Sequence, residues 1–343
     1  GDRAGALATA TEAVTLRRSL ADTNPAAHLL DLAASLTNLA IFQAAVGDPA
    51  GALATATEAV TAYRGLARAN PAAFTPNLAA SLTNLATCQS EVGDRPGALA
   101  TATEAVTLRR SLAQANPAAY LPDLAGSLHN LATRQAAVGD RAQALATATE
   151  AVTAYRGLAR ANPAAFTPNL AASLTNLATC QSEVGDRPGA LATATEAVTL
   201  RRSLAQANPA AYRPDLAASL NNLARSQSEV GDRAGALATA TEAVSLRRDL
   251  ADANPAAFTP DLAMSLTNLA TCQSQVGDRA GALATATEAV TAYQGLADAN
   301  PAAFTPNLAG ALTNLASRQS AVGDRAGALA TATEAATAYQ GLA

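Results

Sequence analysis

A Gly-Asp dipeptide recurs at Gly1, Gly47, Gly93, Gly139, Gly185, Gly231, Gly277 and Gly323, each 46 residues after the last. A strict period of this length decides what the chain can fold into. Units of roughly 20–50 residues cannot bury their apolar faces alone and do so by stacking on their neighbours. The result is an elongated body with a shared core. The length prior that would divide 343 residues into two globular domains gives way, and residues 1–343 read as a single repeat domain.

The unit is clearest from Asn77 to Pro117. Leu78, Leu82, Leu85, Ala86 and Val92 fall on one face of a first-type helix. Gly93 suits a left-handed exit, and Asp94 is placed to cap the next helix. This second-type helix carries Ala98, Leu99, Ala102, Ala105, Val106 and Leu112 inward and runs to about Ala113. Proline at a helix start loses no needed N–H. Pro76-Asn77 and Pro122-Asp123 therefore place the first-type helices near Asp31, Asn77, Asp123, Asn169, Asp215, Asp261 and Asn307, each after a proline-bounded loop. The first copy has Leu30 where the others have proline, which predicts a looser start. The chain opens on a second-type helix capped by Asp2, with Ala6, Ala10, Ala13, Val14 and Leu20 apolar. It closes at Ala343 inside another such helix, giving seven first-type and eight second-type helices.

Residues 139–184 differ from 47–92 only at Arg141 and Gln143, so a 92-residue pair has been copied. Recurrence alone is therefore weak testimony to function.

Composition narrows the function classes. Hydrophobic residues make up 49% but aromatics only 3%, so the core is mostly Ala, Leu and Val and the helices can approach closely. Net charge is −4 and all 23 cations are arginine, which leaves no basic footprint for nucleic acid. The absence of lysine and the single isoleucine, Ile41, suggest a GC-rich genome. No apolar run reaches the roughly 20 residues of a membrane span, and no leader is visible. The missing initiator Met reads as excision from a longer protein. Cys88, Cys180 and Cys272 share one repeat position two units apart, beyond the ~7 Å disulfide limit. They read as free thiols on half-buried faces, suited to a reducing, cytoplasmic setting.

Catalytic and cofactor chemistry finds no foothold. Without lysine there is no phosphate-loop lysine, Schiff base or Ser-Lys pair. His28, read into the first loop, and His129 have no metal-ligand spacing around them. Glu12, Glu58, Glu104 and Glu150 are lone carboxylates on solvated faces. Arg109-Arg110 and its copies Arg17-Arg18, Arg201-Arg202 and Arg247-Arg248 are read as cations complementing the end of a helix dipole.

Asn84-Leu85 in the first helix, Gly93-Asp94 at the turn, and Ala98 and Ala105 in the second resemble the tetratricopeptide repeat. The pattern recurs in all seven helix pairs. Ala86, Gln89, Ala102 and Arg110 depart from the short repeat, and the closing proline is postponed to Pro117. This is similar to the elongated repeats of kinesin light chains and of actinobacterial signalling proteins. A HEAT-type array fits the period but is rejected because the interior of the first helix, begun at Asn77, holds no proline. The resemblance implies an all-α, right-handed α-solenoid that binds peptides or proteins and is not an enzyme. It further implies that the first-type helices line a concave wall and that Asn38, Asn84, Asn130, Asn176, Asn222, Asn268 and Asn314 face the groove. A carboxamide matches both C=O and N–H of an extended peptide. Thr83, His129 and Asn221 share one neighbouring position. Thr87, Arg225 and Ile41 share another, and Glu91, Ala137 and Gln275 a third. Met264 adds a soft contact. Copying alone would leave the same asparagine column, so a ligand role and simple inheritance both stand. The rival function is a spacer or a module self-associating through uncapped ends, or the sensor arm of a larger signalling protein.

Overall fold

The computed structural model describes residues 3–340. The Gly1-Asp2 turn, the cap at Asp2 and the end at Ala343 lie outside the described residues. Among those described there are fifteen helices and no strand. The second-type helices are α1 (Arg3–Thr23), α3 (Pro49–Ala69), α5 (Arg95–Ala115), α7 (Arg141–Ala161), α9 (Arg187–Ala207), α11 (Arg233–Ala253), α13 (Arg279–Ala299) and α15 (Arg325–Gln340). The first-type helices are α2 (Pro25–Ala45), α4 (Pro71–Glu91), α6 (Pro117–Ala137), α8 (Pro163–Glu183), α10 (Pro209–Glu229), α12 (Pro255–Gln275) and α14 (Pro301–Ala321). The fold is an all-α solenoid. By compactness of contacts it comprises two units, residues 1–180 and 181–343, each built from the same hairpins.

The two corners of each repeat have different chemistry. At the glycine corner the Gly93 N–H reaches Ser90 O at 3.1 Å and the Asp94 N–H reaches Gln89 O at 2.9 Å, closing the helix with Gly93 at φ 82°. Asp94 then accepts the Gly97 N–H at 2.9 Å and caps α5. Seven of the eight Gly-Asp glycines have positive φ, and Gly1 lies outside the described residues.

The other corner corrects the sequence reading. Among the described residues there is no proline-bounded loop. Asn70 alone separates α3 from α4, and Pro71, not Pro76, opens the helix. The Asn70 N–H ends α3 on Leu66 O at 2.9 Å, while its side chain accepts the Ala73 N–H at 3.3 Å. Proline at N1 and asparagine at N-cap are both favourable, so one residue suffices to turn the chain. Pro76, Pro122, Pro168, Pro214, Pro260 and Pro306 therefore lie inside helices, where each withdraws one backbone donor. Absence of an interior proline thus no longer argues against a HEAT-type array. Leu30 is likewise interior, so no looser start arises there; Asn24 instead lacks the side-chain cap bond made by Asn70. His28 sits on α2 and not in a loop.

Packing follows the apolar spacing closely. Leu36, Leu82, Leu128, Leu174, Leu220, Leu266 and Leu312, one per first-type helix, are fully buried. They meet alanines such as Ala52, Ala98 and Ala144, each 0% exposed, on the second-type helices. Three expectations shift. Val92 caps the helix end and is 39% exposed, Leu20 is 48% exposed, and the cysteines are fully rather than half buried and remain free thiols. Helix α2 is long and apolar enough, by length and composition, to cross a membrane, which no run was expected to be. Its Leu32, Leu36 and Leu39 cluster with Val14 and Ala21 of α1 and Ala59 of α3, as in the other first-type helices.

Gly93→Ala should destabilise the chain by about 1–2 kcal/mol, because its cost is backbone handedness and nothing lies within 4 Å of the added methyl. Gly65→Ala, inside α3 with equally open surroundings, should stabilise by up to ~1 kcal/mol. Urea midpoints at unchanged slope check both signs.

Candidate functional site

Within each unit the two helix types are bridged by side chains of different kinds. Second-type helices are tied to one another by long ion pairs: Arg18–Glu58 (2.6 Å), Arg64–Glu104 (2.6 Å), Arg110–Glu150 (2.8 Å), Arg202–Glu242 (2.6 Å) and Arg248–Glu288 (2.7 Å). Of the glutamates read as lone carboxylates, Glu58, Glu104 and Glu150 are such partners. Each pair is two-fifths to one-half exposed, so its stability contribution is small, about 0–1 kcal/mol. Arg109 and Arg110 lie before the last turn of α5, so they do not complement a helix end.

Between first-type helices the bridging groups are more varied. Ser182 donates to Glu229 at 2.6 Å and Ser228 to Gln275 at 2.6 Å, while Arg318 donates to Ser274 at 3.0 Å and Thr271 at 3.3 Å. Helices α2 and α4, α10 and α12, and α12 and α14 also touch directly. The first-type helices are thus bridged by a mixed set of serine, threonine, glutamine, glutamate and arginine side chains, and the second-type helices by Arg–Glu pairs.

The expected site residues divide into two sets on the first-type helices. His129, Asn176 and Asn221 are used up between helices. Asn176 Nδ2 donates to His129 O at 3.3 Å and Thr133 Oγ1 at 3.2 Å. His129 Nδ1 lies 3.2 Å from Ser173 Oγ, and Asn221, only 6% exposed, donates to Ser265 Oγ at 2.7 Å. These three act as rungs between neighbouring repeats. Thr83 bonds back to Ala79 O at 3.0 Å within its own helix, and Asn38 is exposed beside α1.

The second set gathers in residues 181–343. A cavity of about 280 Å³ between α10 and α12 is lined by Asn222, Arg225, Ser228, Glu229, Asn268 and Gln275, among others. Neither the Asn222 nor the Asn268 carboxamide has a hydrogen-bond partner among the described residues, so both can serve a ligand. Arg225 stands 4.0 Å from Glu229, which sets both signs of charge at the rim. Asn84, Asn130 and Asn314 are half-buried at equivalent positions of their own helices, while Met264 is 43% exposed. Gln275 was expected as a varying neighbour of the column; the sequence reading missed the serines, of which Ser182, Ser228 and Ser274 recur six residues after the asparagines.

These hairpins have recognisable relatives. The tetratricopeptide repeat family matches residues 33–57 and 125–149, both spanning the glycine corner. The chain carries tetratricopeptide repeats. A second family, anaphase-promoting complex subunit 5, matches residues 63–116, 155–208, 205–259 and 258–305. Each segment takes in a first-type helix and the second-type helix after it. No curated protein matches. Among solved structures, this repeat protein is similar to the apo form of RapI, at 11% identity and TM-score 0.63, covering 90% of this chain and 97% of that one. It is similar to BtubC (BKLC) from P. vanneervenii at 20% identity and TM-score 0.57, covering 73% and 92%. A Podosopora anserina putative kinesin light chain with nearly identical tetratricopeptide-like repeats is similar at 20% identity and TM-score 0.50, covering 63% and 94%. At these identities the likeness shows the fold alone.

His129 supplies a pH test of these rungs. Burial holds its pKa below the usual histidine value, so the folded chain favours the neutral ring. The depressed value means its contribution is present above the unfolded pKa, about 6.5, and lost as pH falls towards the folded one. His129→Thr, the residue at the equivalent Thr83, should flatten this part of the profile. Melting curves from pH 7.5 to 5 should show the native chain losing more stability on acidification than the variant.

Proposed function

We propose that this tetratricopeptide repeat chain is a non-catalytic scaffold that holds an extended peptide, or an extended segment of a partner protein, along its first-type helices. The fold is commonly a protein-interaction scaffold; the groove and its residues are our own reading. The observation that carries it is the pair of unpartnered carboxamides, Asn222 and Asn268, in the cavity between α10 and α12. Each offers two donors and an acceptor to a passing backbone. Arg225 and Glu229 at the rim would choose among side chains, with Thr271 and Gln275 adding neutral contacts. Asn314 would extend the contact within residues 181–343, and Asn84 and Asn130 would serve the same role within residues 1–180. Residues 1–343 act in this proposal as one repeat domain, since the 46-residue period continues through residue 180 without interruption. Buried free thiols suit a reducing, cytoplasmic setting.

Unstructured peptides selected from a random display library on the full chain should bind Asn222→Ala/Asn268→Ala at least tenfold more weakly. That is the effect of losing two hydrogen bonds worth ~1 kcal/mol each. Helix content should not change. Equal affinity for the double variant would remove these amides from the mechanism.

One observation favours self-association as a second reading. The first and last described helices expose apolar surface, beside Leu7 in α1, and large side chains: Leu16 is 60% exposed, Leu329 71% and Tyr339 49%. Against it, every extensive helix contact within a unit joins a first-type to a second-type helix, and both α1 and α15 are second-type. Light scattering across a concentration series distinguishes the readings; a mass rising with concentration supports association through the ends.

A further inference from the structure

Each second-type helix meets the next first-type helix through one residue that is either arginine or tyrosine. Fourteen positions later the facing residue is either aspartate or asparagine. The two choices are linked. Arg17, Arg109, Arg201 and Arg247 face Asp31, Asp123, Asp215 and Asp261, while Tyr63, Tyr155 and Tyr293 face Asn77, Asn169 and Asn307. No mixed pair occurs at any of the seven junctions.

The contacts are direct. Arg201 donates to Asp215 Oδ2 at 2.7 Å, and Arg247 pairs with Asp261. Arg109 reaches Asp123 O at 2.7 Å with the Asp123 charge close by, and Arg17 reaches Asp31 O at 3.1 Å. The hydroxyls of Tyr63, Tyr155 and Tyr293 are pushed up in pKa by burial, an effect the nearby carboxamides of Asn77, Asn169 and Asn307 oppose. Arg201 and Arg247 are 7% and 3% exposed and Tyr63, Tyr155 and Tyr293 5%, whereas the facing Asp215 and Asp261 side chains are 51% and 43% exposed, so the buried member of each pair is the one on the second-type helix. Arginine opposite a neutral amide leaves a buried cation without its counter-charge, and a carboxylate opposite tyrosine loses the cation it has beside arginine.

Copying of a 92-residue pair would propagate linked residues without any selection for the link, and most junctions alternate as such copying would leave them. The junction between α11 and α12 does not. Helix α12 differs from α4 at only three positions, Asp261 for Asn77, Met264 for Ala80 and Gln275 for Glu91. It is an asparagine-type helix in which the facing residue has become aspartate, and the helix before it carries Arg247 where alternation calls for tyrosine. Helix α11 is of the arginine type throughout, so an otherwise asparagine-type helix carries aspartate where it follows an arginine-type one.

We infer that the Arg/Tyr residue is a selector, admitting an acidic-type or amide-type first helix beside it. Helices of nearly identical sequence are thereby kept from docking beside the wrong neighbour. The selector is a specificity residue for the chain's own assembly and stands apart from the proposed peptide groove.

A double-mutant cycle at one junction tests this in the full chain. Asn77→Asp and Tyr63→Arg should each lower the melting temperature by several degrees. The double variant, which converts the junction to the other type, should recover at least half of the summed loss. The reverse conversion, Arg109→Tyr with Asp123→Asn, provides the same cycle from the other direction should a single variant of the first fail to fold. Recovery in either cycle supports the selector; losses that simply add in both would overturn it.

Discussion

The structure depends on close contact between leucine and alanine. Within each unit a first-type helix packs between second-type helices, its buried leucine set against alanines that are almost wholly inaccessible. Small side chains on one partner let the backbones approach, and dispersion between many atoms at short range then replaces the aromatic bulk that this chain lacks. Because every interface repeats the same contact, no region supplies a dominant core. Loss at one junction is felt by its neighbours only.

Identical packing creates a problem that the polar residues answer. Hairpins with interchangeable apolar faces can dock in interchangeable order, and dispersion does not distinguish α4 from α8, whose sequences are the same. Direction-dependent groups add the missing information. The buried arginine and tyrosine at the junctions require a matching acid or amide, and the rungs through His129, Asn176 and Asn221 bind particular neighbours. The Arg–Glu pairs, being exposed, add little energy. They are repeated at one spacing and so carry no information about order.

Polar side chains of the first-type helices are used unequally between repeats. Asn176 bonds to the helix before it, while Asn222 and Asn268 make no such bond and Ser228 meets Gln275 beside them. Under the proposed function a carboxamide used between helices would not be free for a guest, and ligand capacity would vary along an array whose backbone hardly varies.

Much of the fold was legible in the amino-acid sequence. The glycine corner, its aspartate cap, the count of hairpins and the buried leucine row come from period and residue type, because backbone handedness and burial are local demands. The asparagine corner was misread because two prolines compete as helix starts, and only the realised helix shows that Pro71 wins while Pro76 is tolerated inside. The site was legible as a column and no further. Which asparagines stay free depends on whether a serine, a histidine or a glutamine lies across the gap in the adjacent hairpin. That is a distance between residues more than forty positions apart, and only the tertiary structure sets it.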